Sequence, residues 1–156
     1  MKKAFVVLSC FMLLGAAVFA NGAKDGGTVK DAHVFMFKST GNTFGTLMYQ
    51  GFQTHMNKAG EKCVDKSPAD TTVAAQVQMI KELINQGIKS LTISVNGDEG
   101  FDEVIALAKQ KGIKVISVDS ALKASQREAH VIPASQQEVG QALIQAAVCI
   151  KLGVPY

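Results

Sequence analysis

The sequence is short of the patterns that announce catalytic or redox chemistry. It has three cysteines and three histidines, and none falls in a C-x-x-C pair or another metal-holding spacing. His33, His55 and His130 stand far apart. His33 and His130 open apolar runs and His55 is on the outer side of a helix, so no triad or metal set can be assembled from them. No G-x-G-x-x-G follows the first apolar run, which removes the dinucleotide fingerprint. Charge of one sign is scarce too. Lys and Arg number 16 against 13 Asp and Glu. Without Lys2 and Lys3 the net charge is about +1, and nothing favours nucleic acid or an anionic membrane. No cofactor is expected.

What is present begins with a leader. Lys2 and Lys3 precede an apolar run from Phe5 to Phe19, and Val18-Phe19-Ala20 offers small residues for cleavage. The run is too short and wrongly flanked for a membrane anchor and reads as a secretory signal over residues 1–20, with Ala23 the second choice of cleavage site. Cys10 stands too early in the run for a lipoprotein signal. Asn21 to Lys30 is rich in Gly and Lys, a flexible leader. The chain of 156 residues then has room for one domain. Export would permit a disulfide between Cys63 and Cys149. One falls on an expected strand and the other on the last helix, and two buried thiols are the favoured reading.

The stretch from Ala32 to Gly60 organises the rest. Val34 to Phe37 is apolar on both sides, as a buried strand requires. Lys38 to Thr43 is a polar loop in which Asn42 or Thr43 can cap a helix. That helix carries Phe44, Leu47, Met48, Phe52 and Met56 at helical spacing. Cys63 to Asp65 reads as a weak strand. A helix capped by Asp70, Thr71 or Thr72 follows, with Val73, Val77, Ile80 and Ile84 on one stripe. Leu91 to Val95 is a strand. Phe101, Val104, Ile105 and Ala108 mark a third helix, and Val115 to Val118 a strand ending in Asp119-Ser120. Ala129 to Ile132 is a last short strand, and Gln136 to Lys151 a helix with Val139, Leu143, Ala146 and Ile150 on one face. The joins Gly60-Glu61-Lys62, Gly87-Ile88-Lys89 and Gly112-Ile113-Lys114 each end a helix and open a strand. Strands alternating with helices through short joins must run parallel with right-handed crossovers. The expected fold is α/β, a Rossmann-like parallel sheet with helices on both faces.

In such a sheet the strand-to-helix loops emerge at one edge, where ligands bind. That edge collects Lys38, Asn42, Asn96, Asp98, Asp119 and Ser120, with Phe44 and Phe101 beside them. Hydrogen-bonding groups next to a ring suit a sugar-like ligand: the polar groups take hydroxyls and the ring packs on the C–H face. The candidate binding residues are Lys38, Asn42, Phe44, Asp119 and Ser120. Lys38 could equally be a solvated loop lysine, Asn42 only a cap, Phe44 core, and Asp119 a turn former.

The segments VFMFKSTGNTFG, AAQVQMIKELINQGIKSLTISV, GFDEVIALAKQKGIKVISVDS and VDSALKASQREAHVIPASQQEVGQAL resemble the type 1 periplasmic sugar-binding proteins of ABC transporters. The resemblance is nearest to the subgroup that binds rhamnose or the autoinducer-2 sugar. It implies two α/β lobes closing on a sugar, with first-lobe contacts at Lys38, Asn42, Phe44 and Asp119, and no catalysis. Gly45 stands where many members carry a second aromatic residue. Members are roughly twice this length. The resemblance therefore implies that residues 31–135 form the N-terminal lobe and 136–156 the first helix of a missing second lobe. The expected partners are a small sugar and an ABC permease, in the periplasm or otherwise outside the cytoplasm. Self-association through the last helix is possible if its face finds no sheet. A small exported enzyme using the same edge, a non-functional fragment, and a sugar-responsive repressor core are the other readings. The signal segment and the missing DNA-binding helix pair argue against the last.

Overall fold

A computed structural model describes residues 28–155. The expected signal segment, and residues 21–27 of the leader, lie outside that range. The elements are β1 (His33–Met36), α1 (Thr43–Lys58), β2 (Cys63–Asp65), α2 (Val73–Asn85), β3 (Ser90–Ile93), α3 (Asp102–Gln110), β4 (Lys114–Val118), β5 (Ala129–Val131) and α4 (Gln136–Leu152). A short 3-10 turn, Ala124–Gln126, precedes β5. The strands form one sheet in the order β2-β1-β3-β4-β5, and every pairing is parallel.

From Val34 onward β1 is apolar and buried because both of its faces are covered. Val34 and Met36 face a large core shared with Ile80, Leu83, Leu91, Ile93, Val104 and Val115, which belong to α2, α3 and the neighbouring strands. Phe35 and Phe37 face the other way, with Val118, and take Met48, Tyr49 and Phe52 of α1. The Phe35 ring lies 5.8 Å from both Tyr49 and Phe52, aromatic pairing that adds to the buried area. Helices therefore lie on both faces of the sheet.

The caps follow the sequence. The Asn42 side chain accepts a hydrogen bond from the Gly45 amide at the start of α1, and Thr72 does the same for Ala75 in α2. Gly60, Gly87 and Gly112 carry positive φ after α1, α2 and α3, where a residue with a Cβ would be strained.

Several expectations are corrected. Phe44 and Leu47 are exposed, and the stripe of α1 that meets the sheet runs through Gly45, Met48, Tyr49 and Phe52. The cause is Gly45, whose missing side chain lets the helix rest directly on Phe37. Phe101 is fully buried among the α2–α3 core residues and is closed off from solvent at the strand-end edge. Cys63 and Cys149 are free but only partly buried. His33 keeps to the opposite edge, bonded to Ser90 and Glu61, and His55 is exposed. His130, however, is the middle residue of a three-residue strand. So short a strand puts its start close to its end, and His130 lines a cavity together with Asp119. Helix α4 has no buried residue. Among the described residues no helix is long and apolar enough to cross a membrane.

Candidate functional site

The carboxyl ends of β1, β3 and β4 bring three loops together. Pairing of β1 with β3 stops at Met36 and Ile93, and the backbones beyond are held by side chains together with a few loop backbone bonds. The Asn96 amide group donates to the Lys38 carbonyl at 2.8 Å. The Ser67 hydroxyl accepts from the Phe37 amide, and the Thr40 amide donates to the Pro68 carbonyl. These bonds tie the β1 loop to the loops after β2 and β3. A cleft of about 410 Å³ opens between the loops, lined by Lys38, Asn96, Gly97, Asp98, Ser120 and Ala121.

Asp119 is the electrostatic centre. It follows β4 directly with φ 60°, the left-handed region that non-glycine residues seldom occupy and Asp tolerates better than most. Its backbone amide donates to the Val131 carbonyl, and the next carbonyl, of Ser120, accepts from the Val95 amide. The chain is thus held on both sides of the strained residue. The Lys38 ammonium lies 3.0 Å from the Asp119 carboxylate. The Ser94 hydroxyl donates to the same oxygen at 3.0 Å, and the Ser120 hydroxyl at 3.4 Å. Burial pushes the Asp119 carboxyl up, but the hydrogen bonds from Lys38 and Ser94 and the charge of Lys38 outweigh it. The group is held below its ordinary value. It is an ionised acceptor at neutral pH, and a poor base.

Lys38, Asp119 and Ser120 therefore meet, with Asn96 beside them. Lys38 and Ser120 line the cleft, Asp119 lines the neighbouring cavity with His130, and Asn42 and Phe44 line neither. Asn42 is exposed and spends its side-chain oxygen on the Gly45 amide. Phe44 is partly exposed and stands edge-on to Phe37, centroids 6.0 Å apart. The Phe37 ring also lies 5.9 Å below the Lys38 ammonium, close enough for a cation–π attraction. Sequence reasoning missed Ser94, which reads as one more strand residue. It also missed Gln76, a polar residue on the otherwise apolar stripe of α2, and that position was the available signal. Among the described residues no three His, Cys, Asp or Glu gather in a metal-holding group.

Proteins of known structure share this fold. A solute-binding protein of an ABC transporter from Clostridium phytofermentas, solved with bound L-rhamnose, is 29% identical with a TM-score of 0.69, over 77% of this chain and 37% of that one. LsrB from Clostridium saccharobutylicum, in complex with AI-2, is 27% identical with a TM-score of 0.68, over 73% of this chain and 35% of that one. A solute-binding protein from Burkholderia graminis, in complex with D-arabinose, is 29% identical with a TM-score of 0.64, over 81% and 43%. The chain thus spans less than half the length of each. The family model described as periplasmic binding protein domain matches residues 33–149, from the first residue of β1 to the last turns of α4, and the chain belongs to that family.

Proposed function

We propose that this chain is the sugar-binding N-terminal lobe of an extracytoplasmic solute-binding protein serving an ABC-type importer. The observation that carries the reading is the Lys38–Asp119 pair at the strand ends, with Asn96 and Ser120 beside it. An ionised carboxylate accepts from sugar hydroxyls, and the ammonium and amide groups donate to them. The sugars bound by the relatives from Clostridium phytofermentas and Burkholderia graminis make L-rhamnose and D-arabinose the first ligands to try. Phe44 supplies an apolar ring at the rim and Asn42 holds the loop through its cap. Binding is the whole function. Ser94 and Ser120 donate to a carboxylate too weakly basic to activate them, which disfavours the enzyme reading. Residues 1–20 act as a cleavable signal for export, and the permease meets the exported form. The fragment reading fails if the chain binds sugar at this edge.

Self-association through α4 belongs to the same proposal. No charged residue interrupts Val139 to Ile150, while Glu138 and Lys151 flank that stretch. In an antiparallel pair Glu138 of one copy meets Lys151 of the other.

The test is amide NMR of the isotope-labelled chain titrated with L-rhamnose and D-arabinose. Signals of Lys38, Asn96, Asp119 and Ser120 should move, and Asp119→Ala should abolish the movement. Each hydroxyl left unpaired costs about 1–3 kcal/mol. Perturbation confined to another surface, or unchanged in the variant, would move the site elsewhere.

A further inference from the structure

Gln76 is fully buried, in the middle of the first turns of α2, far along the chain from every candidate ligand residue. Its amide nitrogen donates to the Ser94 carbonyl at 2.9 Å and to the Phe37 carbonyl at 3.4 Å. Its carbonyl oxygen accepts from the Asn96 amide at 2.9 Å. A glutamine amide has two N–H donors and an accepting oxygen, and here both donors and the oxygen meet backbone groups. The three groups it meets lie just past the point where β1 and β3 stop pairing. Gln76 takes over from the sheet ladder where the strands part to open the cleft.

Each of these bonds leads to the ion pair within a residue or two. Phe37 is followed by Lys38. Ser94 offers its hydroxyl to Asp119. Asn96 returns a bond to the Lys38 carbonyl. We infer that Gln76 is a positioning residue of the proposed sugar site, fixing the separation of the β1 and β3 ends and with it the meeting of Lys38 and Asp119. The inference rests on reading that pair as ligand groups, and its geometric part can be tested without a ligand. A side chain of the same reach without donors leaves two carbonyls and one amide unsatisfied, and the loops must shift to find water.

The experiment is Gln76→Met in the full chain, with the Asp119 carboxyl carbon followed by NMR across acid pH. Asp119 should titrate at higher pH than in the wild type, because Lys38 and Ser94 no longer converge on it, while amide signals of α3 and β4 stay in place. A purely structural Gln76 would lower the melting temperature and leave that titration where it was. An unchanged Asp119 midpoint in a folded variant overturns the inference. If Gln76→Met does not fold, the coupling is read from the other side in Asp119→Asn. The Gln76 side-chain amide signals should then shift, and signals that stay put overturn the inference equally. L-rhamnose separates the two layers. If both readings hold, Gln76→Met weakens its binding by about tenfold or more. A raised Asp119 midpoint with no effect on sugar binding, or a wild type that takes up no sugar at this edge, overturns the sugar reading and leaves the positioning of the pair intact.

Discussion

Asp119 carries its strain with support from both sides, and its charge with support from Lys38. Its lowered titration gives acid sensitivity a definite sign. A carboxyl whose folded-state value is depressed contributes stability that is complete above its unfolded-state value and lost as pH falls through the folded one. Lys38→Met removes the partner, so the loss of stability between neutral pH and about pH 3 should shrink. Urea midpoints at both pH values check this, and an unchanged difference would mean that Lys38 is solvated rather than paired. Gly45 is the other residue with a sharp constraint. A Cβ built there would stand 2.5 Å from the Phe37 ring. The space that a side chain would need is already filled by an aromatic group from the strand. Gly45→Ala should therefore destabilise the fold by about 1–3 kcal/mol through overpacking, measured by chemical denaturation. It should also displace Phe37 and, with it, the ring beneath Lys38.

Among the elements, α1 and α4 differ in what holds them. Helix α1 lays Met48, Tyr49 and Phe52 on the sheet, and its exposed Phe44 and Leu47 sit to one side of that contact. Helix α4 buries nothing, and Val139, Leu143, Ile144, Val148 and Ile150 are exposed. A helix with so long an uncharged, apolar-rich stretch ordinarily lies inside a structure. Burying one Leu or Ile is worth about 1.5–3 kcal/mol, so pairing of two copies has several such side chains to gain from. Deleting 136–156 should leave the melting temperature within about 2 °C of the full chain. Sedimentation should show a concentration-dependent dimer for the full chain and a monomer for the shorter one. A truncated chain that fails to fold would place α4 in the core of this lobe.

At the scale of the molecule, all the cleft's lining groups among the described residues come from the strand ends of one sheet, while this chain covers only 37% and 43% of the relatives in complex with L-rhamnose and D-arabinose. Ligand sites commonly enclose most of their ligand, and a site walled on one side does not. Sugar binding by this chain should therefore be weak, with dissociation constants in the millimolar range, about −4 kcal/mol. Micromolar affinity in calorimetry would show that the chain encloses its ligand without a second lobe. Exported protein should begin at Asn21 by mass spectrometry, and material that keeps Met1 would refute the signal segment.

The order of strands and helices, their parallel direction and the edge where the strand-to-helix loops gather were legible in the sequence. They depend on local signals: apolar runs, cap residues, and glycines at helix ends. Lys38, Asp119 and Ser120 were legible for the same reason, since each follows a strand that the pattern already located. The tertiary structure alone decided the rest. Periodicity counts apolar residues and does not say which edge of a stripe meets the sheet, so Phe44 and Leu47 were expected inside until Gly45 and Phe37 set the helix's rotation. Phe101 could be placed beside a loop, but only packing against α2 shows it buried. Gln76 takes its importance from three backbone groups just past the ends of two strands, distant from it in sequence, which meet at one point only when the sheet is assembled.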